Sequence, residues 1–244
     1  MNIELAEKDK ELERILENIP AELDLAVTLP SRNRFYNLKD KNKPITVRSM
    51  KFEDERMFAD TSRKGADSLN ILLDRCVSNI DIDDLLLIDK LILLIKIREA
   101  TYGKDYEFDL TCTSCGAEER VGFDLNDLSV NELPSDFQDP FSISLPVLKK
   151  EIKIKLPRVK DEQYVLTATN KNLWRFITDI DGCSDRGVIS EVVKKLPLQD
   201  VHCIIKKLSG DEFGLEPKMN FSCPHCGHSE EIVLPISSDF FYMS

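Results

Sequence analysis

FDLTCTSCGAEERVGFDL at residues 108–125 recurs, without a gap, as MNFSCPHCGHSEEIVLPI at residues 219–236. Each copy holds a Cys-x-x-Cys turn, Cys112/Cys115 and Cys223/Cys226, followed at once by a glycine, Gly116 or Gly227. Phe108, Leu110 and Cys112, then Val121, Phe123 and Leu125, alternate as the two arms of a hairpin with the turn near its tip. Met219, Phe221 and Cys223, then Ile232, Leu234 and Ile236, repeat that pattern, and Glu119 falls on Glu230. A Cys-x-x-Cys turn aims two sulfurs inward from one tight loop, with the glycine free to take positive φ. Four thiolates in this arrangement fit one tetrahedral ion, so Cys112, Cys115, Cys223 and Cys226 are the expected ligands of a single structural zinc. Iron binds four thiolates with similar geometry; zinc is the expected occupant.

The repeat extends beyond the cysteines. ITVRSMKFEDERMF at residues 45–58 has a counterpart in IKIKLPRVKDEQYV at residues 152–165, with Ile45 on Ile152, Val47 on Ile154 and Asp54-Glu55 on Asp161-Glu162. IREATYG before the first turn falls near IIKKLSG before the second. The expected fold class is α+β: two duplicated halves of short strands plus helices, joined by a zinc-ribbon-like pair of Cys-x-x-Cys hairpins. Neither half would keep its metal alone. The expected division is an acidic helical arm at 1–28, a first half at 29–130, a linker at 131–141 rich in Pro, Asp and Ser, and a second half at 142–244. For the weaker helical matches, chance similarity is the alternative. Helices are expected over residues 2–19, ended by Pro20, and over 66–79, 84–100 and 199–208. The 84–100 segment, with Leu85, Leu86, Leu87, Ile88, Leu91, Ile92, Leu93, Leu94 and Ile95, has almost no polar face and should be buried on most sides.

Composition narrows the class of function. A chain of 244 residues holds one large or two ordinary domains. A formal net charge of −11 argues against wrapping a polyanion, since nonspecific nucleic-acid affinity comes from Lys and Arg on phosphates. No stretch approaches the roughly 18–20 apolar residues of a membrane span, and MNIELAEKDKELER is charged where a signal peptide would carry an apolar core. The protein is expected to stay in the reducing cytoplasm where it is made. Of seven cysteines, four belong to the paired turns and Cys76, Cys183 and Cys203 are scattered, which argues against a disulfide framework. The scattered three are expected to serve as small buried apolar side chains.

No catalytic constellation is legible. His202 lies in a helical segment, and His225 and His228 lie in and just beyond the second turn, where either could replace a cysteine as ligand. With four thiolates at hand the closed four-cysteine site is preferred, and closed sites are structural. Phosphate-loop, nucleophile-elbow and His-Glu-x-x-His motifs do not occur. Asp179, Asp181, Gly182 and Ser184-Asp185-Arg186 imitate a calcium loop but lack the ligand spacing and closing Glu of an EF-hand, so a turn and helix cap is expected. Phe240, Phe241 and Tyr242 either pack back on the chain or anchor in a partner.

Leu29-Pro30-Ser31 with Phe35-Tyr36, then ITVRSMKFEDE, IREATYG, Tyr106 before CTSCG, and DIDGCSDRGVISEVVKKLP before CPHCG resemble, in their order, the baseplate hub assembly proteins of T4-like contractile-tailed bacteriophages. The similarity covers roughly residues 29–236. It implies a non-enzymatic morphogenesis protein whose partners are phage baseplate hub proteins, with no nucleic acid and no membrane. The place implied is the host-cell cytoplasm during assembly, or the virion tail baseplate. Some members of the group are hub components and another is an assembly factor. No catalytic residue carries over; Cys112, Cys115, Cys223 and Cys226 do, as metal ligands. The alternatives are a zinc ribbon that binds nucleic acid or alters host transcription, and a metal-dependent hydrolase.

Overall fold

Strand β1 (Leu25–Ala26) pairs antiparallel with β2 (Thr46–Val47), Leu25 opposite Val47, and β3 (Val77–Ser78) joins the other side of β2 with Val77 opposite Val47. The alternation of Ile45 and Val47 puts both side chains in the core, each 0% exposed. Helices α1 (Phe52–Ala59) and α2 (Ala66–Cys76) lie between β2 and β3. The structure, a computed structural model, describes residues 14, 24–59, 66–165, 172–209 and 213–242. The helix expected over residues 2–19 and most of the arm at 1–28 lie outside the described residues.

The expected helix at 66–79 ends at Cys76. β-Branched Val77 leaves it for the sheet, and Asn79 turns the chain at φ 72°, a left-handed conformation asparagine tolerates. The Asn79 side-chain amide donates to the carbonyls of Asp40 and Lys43 at 2.9 and 2.7 Å, which fixes that turn. Helix α3 (Leu87–Tyr102) follows, and Ile92, Leu93, Leu94, Ile95 and Ile97 are all buried on it. Burying such a side chain contributes about 1.5–3 kcal/mol, so α3 is the central strut of the first core, with Leu29, Leu72, Leu73 and Leu85 packed in the same cluster. Gly103, at φ 90°, ends the helix by donating its amide to the Glu99 carbonyl.

A long hairpin leaves this helix: β4 (Asp105–Thr111) pairs with β5 (Glu118–Asp124). Strand β6 (Ser129–Asn131) comes next. The second sheet has the order of the first: β7 (Phe141–Ser144), β8 (Glu151–Ile154) and β9 (Ile177–Ile180), with Phe141 and Ile177 both opposite Ile154. The short α4 (Glu162–Val165), then α5 (Arg186–Val193) and α6 (Leu198–Leu208), complete a second core around Ile152, Ile154, Phe176, Ile177, Ile189 and Ile204. Of the stripe Val188, Ile189, Val192 and Val193, Ile189 is fully buried and Val188 is 49% exposed. Strand β10 (Gly214–Glu216) leads into the second hairpin, β11 (Lys218–Ser222) with β12 (Ser229–Val233).

The two cores are locked together. β6 and β10 pair antiparallel, Asn131 opposite Gly214. A Cβ on Gly214, at φ 93°, would sit 2.7 Å from the Ile88 carbonyl oxygen, so only glycine lets this strand lie against α3. Leu87 donates its amide to the Pro157 carbonyl at 3.0 Å, and Val159 donates to the Leu85 carbonyl at 2.8 Å. The Lys90 ammonium meets the Glu162 carboxylate at 2.7 Å with both side chains largely buried. Phe240 and Phe241, both 0% exposed, close the first core; the Phe240 ring lies 4.8 Å from that of Tyr106, and the Tyr102 hydroxyl donates to the Phe241 carbonyl. These two rings are therefore core, with no free surface to anchor in a partner. Among the described residues no helix is long and apolar enough to cross a membrane.

Candidate metal centre

Each hairpin bends its tip by the same bonds. Cys112 donates its amide to the Ala117 carbonyl at 2.9 Å, and Gly116 donates to the Cys112 carbonyl at 2.9 Å. In the second hairpin Cys223 donates to His228 at 2.8 Å and Gly227 to Cys223 at 2.9 Å. Gly116 at φ 74° and Gly227 at φ 72° adopt the left-handed conformation that closes the turn. The registers match as well: Phe108 faces Val121 and Leu110 faces Glu119, as Met219 faces Ile232 and Phe221 faces Glu230.

The two tips meet. All four sulfurs, of Cys112, Cys115, Cys223 and Cys226, lie within 4.8 Å of one another. A zinc–sulfur bond of about 2.3 Å in tetrahedral geometry sets sulfurs about 3.8 Å apart. Cys112 Sγ is 3.8 Å from Cys226 Sγ, and Cys115 Sγ is 3.8 Å from Cys223 Sγ. Both short pairs cross from one hairpin to the other. Cys112 and Cys223 are buried, above a small apolar floor of Phe221, Leu110, Val121 and Ile232, whereas Cys115 and Cys226 face outward. The cluster is consistent with a metal site.

Its electrostatics favour a cation. The Cys115 amide points at the Cys112 sulfur and, against the opposing effect of burial, brings that thiol down to about 6, aided by the Ser114 amide. Cys115 goes the other way. The Ala117 amide favours its thiolate, but Cys226, burial, Cys112 and Cys223 push it up to about 12. Thiols this close lose their protons in linked steps, and a bound cation removes the repulsion that holds the later protons on.

Two glutamates cross the junction, and their positions in the two hairpins correspond. Glu230 accepts from the Thr113 hydroxyl at 2.8 Å and from the Thr113 amide at 3.4 Å. Glu119 reaches the second tip, where Pro224 has no amide hydrogen to offer, and its carboxylate lies 3.2 Å from His225 Nε2. His228 Nε2 lies 3.4 Å from the Thr113 hydroxyl. Both histidines of the second tip therefore lie against polar neighbours on the first hairpin and stand outside the sulfur cluster. The glutamate pair was visible in the sequence only as an alignment of Glu119 on Glu230; its reach across the tips depends on the hairpins meeting head to head.

The acidic loop at 179–185 is a turn and cap. Asp179 accepts from the Gly182 amide at 2.8 Å and the Ser184 hydroxyl at 3.0 Å, and Asp185 caps α5 by accepting from the Val188 amide at 2.9 Å. Of the scattered cysteines, expected to be buried, Cys76 is; Cys183, in the turn before α5, and Cys203 are instead partly exposed.

Compared with known proteins, residues 30–242 match the family model of the T4 bacteriophage base plate protein. No curated protein and no solved structure matches the chain.

Proposed function

The chain belongs to the T4 bacteriophage base plate protein family, and from that premise we propose that it is a baseplate hub assembly protein. It acts as a non-enzymatic, zinc-stapled adaptor or chaperone that binds hub subunits while the tail baseplate is built in the host-cell cytoplasm. It serves either as a transient assembly factor or as a component of the hub. The observation that carries this reading is the sulfur cluster itself: two sulfurs from each of two distant hairpins, within 4.8 Å, in a chain of this family. Four thiolates fill a tetrahedral ion and leave it no open position for a substrate, which is the arrangement of a structural site. When bound, zinc supplies a cross-link between segments far apart in sequence. Cys112 and Cys223 hold it from the apolar side, Cys115 and Cys226 from the solvent side, and Glu119 and Glu230 tie the tips together around it.

The same reading includes duplication. Both three-stranded sheets have one strand order, and the aligned Val47 and Ile154 occupy the centre of each. Asp54 accepts from the Lys51 amide at 2.8 Å as Asp161 accepts from the Arg158 amide, each turning back by the same number of residues. Asp89 stands as far before Cys112 as Asp200 stands before Cys223, each in the first turn of the helix ahead of its hairpin. Leu29-Pro30-Ser31 gives the Ser31 amide to Asp89 at 3.0 Å; Leu145-Pro146-Val147 gives the Val147 amide to Asp200 at 2.7 Å. A joint between segments this far apart, repeated with the same residue types, supports descent of both halves from one ancestor.

The function is tested by affinity recovery of the tagged protein from phage-infected cells, with proteomics and metal analysis of the eluate and of purified virions. Recovery of baseplate hub proteins with zinc is the expected result. Presence or absence in virions then separates hub component from assembly factor. Recovery of host RNA polymerase or nucleic acid, with no tail protein, would overturn the reading.

A further inference from the structure

Strand β7 stands at one margin of the second sheet, and its backbone is half paired. Leu145 donates its amide to the Lys150 carbonyl at 2.9 Å, whereas the Glu151 carbonyl turns the other way and accepts from Asp181 at the end of β9. Ser144 lies opposite Glu151 and Ile143 opposite Ile152. Antiparallel alternation therefore turns the amides and carbonyls of Phe141 and Ile143 toward β8 and those of Ser142 and Ser144 outward. Both serines are exposed, and among the described residues nothing bonds to these four outward groups.

Other strand edges are closed or guarded. On β9, at the opposite margin of the same sheet, Ile180 exchanges both of its backbone bonds with Cys183, at 3.0 and 2.9 Å, and the Ile177 carbonyl accepts from Arg186 at 2.6 Å. Strands β4, β5 and β12 stand in two-stranded sheets and carry Glu107, Asp109, Glu118, Arg120, Glu230 and Glu231. Such charges are the usual protection of an open edge against a foreign strand. β7 has neither charge nor proline. Beside it runs a groove of about 310 Å³, lined by Phe137, Phe141 and Phe213 and, on α6, by Cys203, Lys206 and Lys207. No carboxylate lines the groove, and Lys206 has no ionic partner among the described residues.

We propose that the β7 edge docks an extended acidic segment of a baseplate protein, which adds a fourth strand to the second sheet. An extended backbone presents donors and acceptors at the two-residue spacing of Ser142 and Ser144, which is how a sheet edge takes a peptide. The alternate side chains of that strand enter the groove, an apolar one against the three phenylalanine rings and a carboxylate beside Lys206. A second copy pairing through its own β7 would bring the same lysines to the same place, and like charges would meet. Charge therefore selects a different, acidic partner. Its identity as a baseplate component rests on the function proposed above; the open edge and the sign of its groove rest on the geometry alone.

The test places the photo-crosslinking residue benzoylphenylalanine at position 144 of the full-length chain, in infected cells, with position 52 as control, because Phe52 is 75% exposed on the first half. The expected product is a cross-link from position 144, and none from 52, to an acidic segment of a baseplate protein. Ser142→Pro removes an outward amide and leaves the ladder to β8 intact. It is expected to lower recovery of that protein about tenfold or more, and Lys206→Glu about threefold or more, with metal content and circular dichroism unchanged. Ser142→Ala keeps the backbone bonds and is expected to keep recovery. Lys206→Glu, on the surface of α6, decides alone if Ser142→Pro alters the dichroism. A cross-link to a second copy of this chain, equal cross-linking from both positions, or an equal loss in Ser142→Ala overturns the proposal. Recovery of baseplate proteins unchanged in Ser142→Pro and Lys206→Glu overturns the docking edge and leaves the proposed function standing. Recovery of no baseplate protein by the unmodified chain removes both.

Discussion

At the foot of α3, Asp89 accepts the Ser31 amide and the Tyr36 hydroxyl, and the Tyr36 oxygen in turn accepts from the Leu86 amide at 3.1 Å. At the foot of α6, Asp200 accepts only the two amides of Val147 and Leu148 among its described bonds. Both carboxylates are 0% exposed. Burial raises the Asp89 carboxyl above its ordinary range against the hydrogen bonds from Ser31 and Tyr36, and burial together with the neighbouring Asp89 carboxylate raises the Tyr36 hydroxyl. The same joint thus serves two ends. In the first half it is sealed by Tyr36 and by residues 132–134, and holds the central helix; in the second it orders a turn whose outer face stays open. The sulfur cluster draws two cysteines from each hairpin.

The strongest way to break that division is to remove the metal. Cys112→Ser with Cys223→Ser is expected to abolish stoichiometric metal and lower stability by several kcal/mol, given that structural zinc contributes on the order of 10 kcal/mol in small metal domains. Because β6 pairs with β10 and Lys90 with Glu162, both halves should unfold together, in one transition by near- and far-ultraviolet circular dichroism. Two separated transitions would mean that the β6–β10 pairing and the Lys90–Glu162 pair do not couple the halves once the metal is gone.

A finer comparison removes the two carboxylates in turn. Asp89→Ala leaves the Ser31 amide and the Tyr36 hydroxyl without their acceptor inside the core, and is expected to cost about 2–4 kcal/mol in urea unfolding. Asp200→Ala frees two amides near the surface, where water reaches them, and is expected to cost about 1–2 kcal/mol. Equal costs would refute the contrast between a sealed and an open joint.

A comparison that depends on pH concerns Asp54 and its counterpart Asp161. Burial alone would raise the Asp54 carboxyl, but hydrogen bonds from Arg48, the Lys51 amide and Arg75 outweigh it and bring the group to about 2. A carboxyl lowered by folding adds stability that is complete above its unfolded value, near 4, and is lost as pH falls toward 2. Asp54→Asn is therefore expected to cost about 2 kcal/mol at neutral pH, and to flatten the loss of stability between about pH 4 and 2. Asp161→Asn is expected to cost less, since its carboxylate meets the Arg158 amide at 3.3 Å and Lys155 at 3.8 Å. Thermal melts of both variants at pH 7 and pH 3 check the order.

The hairpins and their cysteines were legible because alternation and turn chemistry are local: a period of two and a Cys-x-x-Cys-Gly tip need no knowledge of the rest of the chain. Helix α3 was legible because a run of Leu and Ile with no polar face must be enclosed. Of the first half's sheet only β2 was legible, through the alternation of Ile45 and Val47; β1 and β3 are two residues each and give no periodic window. Val77 looked like the end of a helix because only its pairing with Val47, far away in sequence, makes it a strand. The joint from Ser31 to Asp89 spans 58 residues and uses a backbone amide, a group every residue type but proline carries, so no pattern of side chains announces it. The fate of Phe240 and Phe241 was undecidable from their type alone; the Tyr106 ring and the Arg98 guanidinium that receive Phe240 come from other elements.

The most direct test of one metal shared by two halves is elemental analysis of the native full-length protein by mass spectrometry, repeated on Cys223→Ser, with X-ray absorption on the metal-loaded sample. One zinc per chain, surrounded by four sulfurs and lost from the variant, is the predicted result. A stoichiometric metal retained by Cys223→Ser, or a second ion per chain in the native protein, would contradict it.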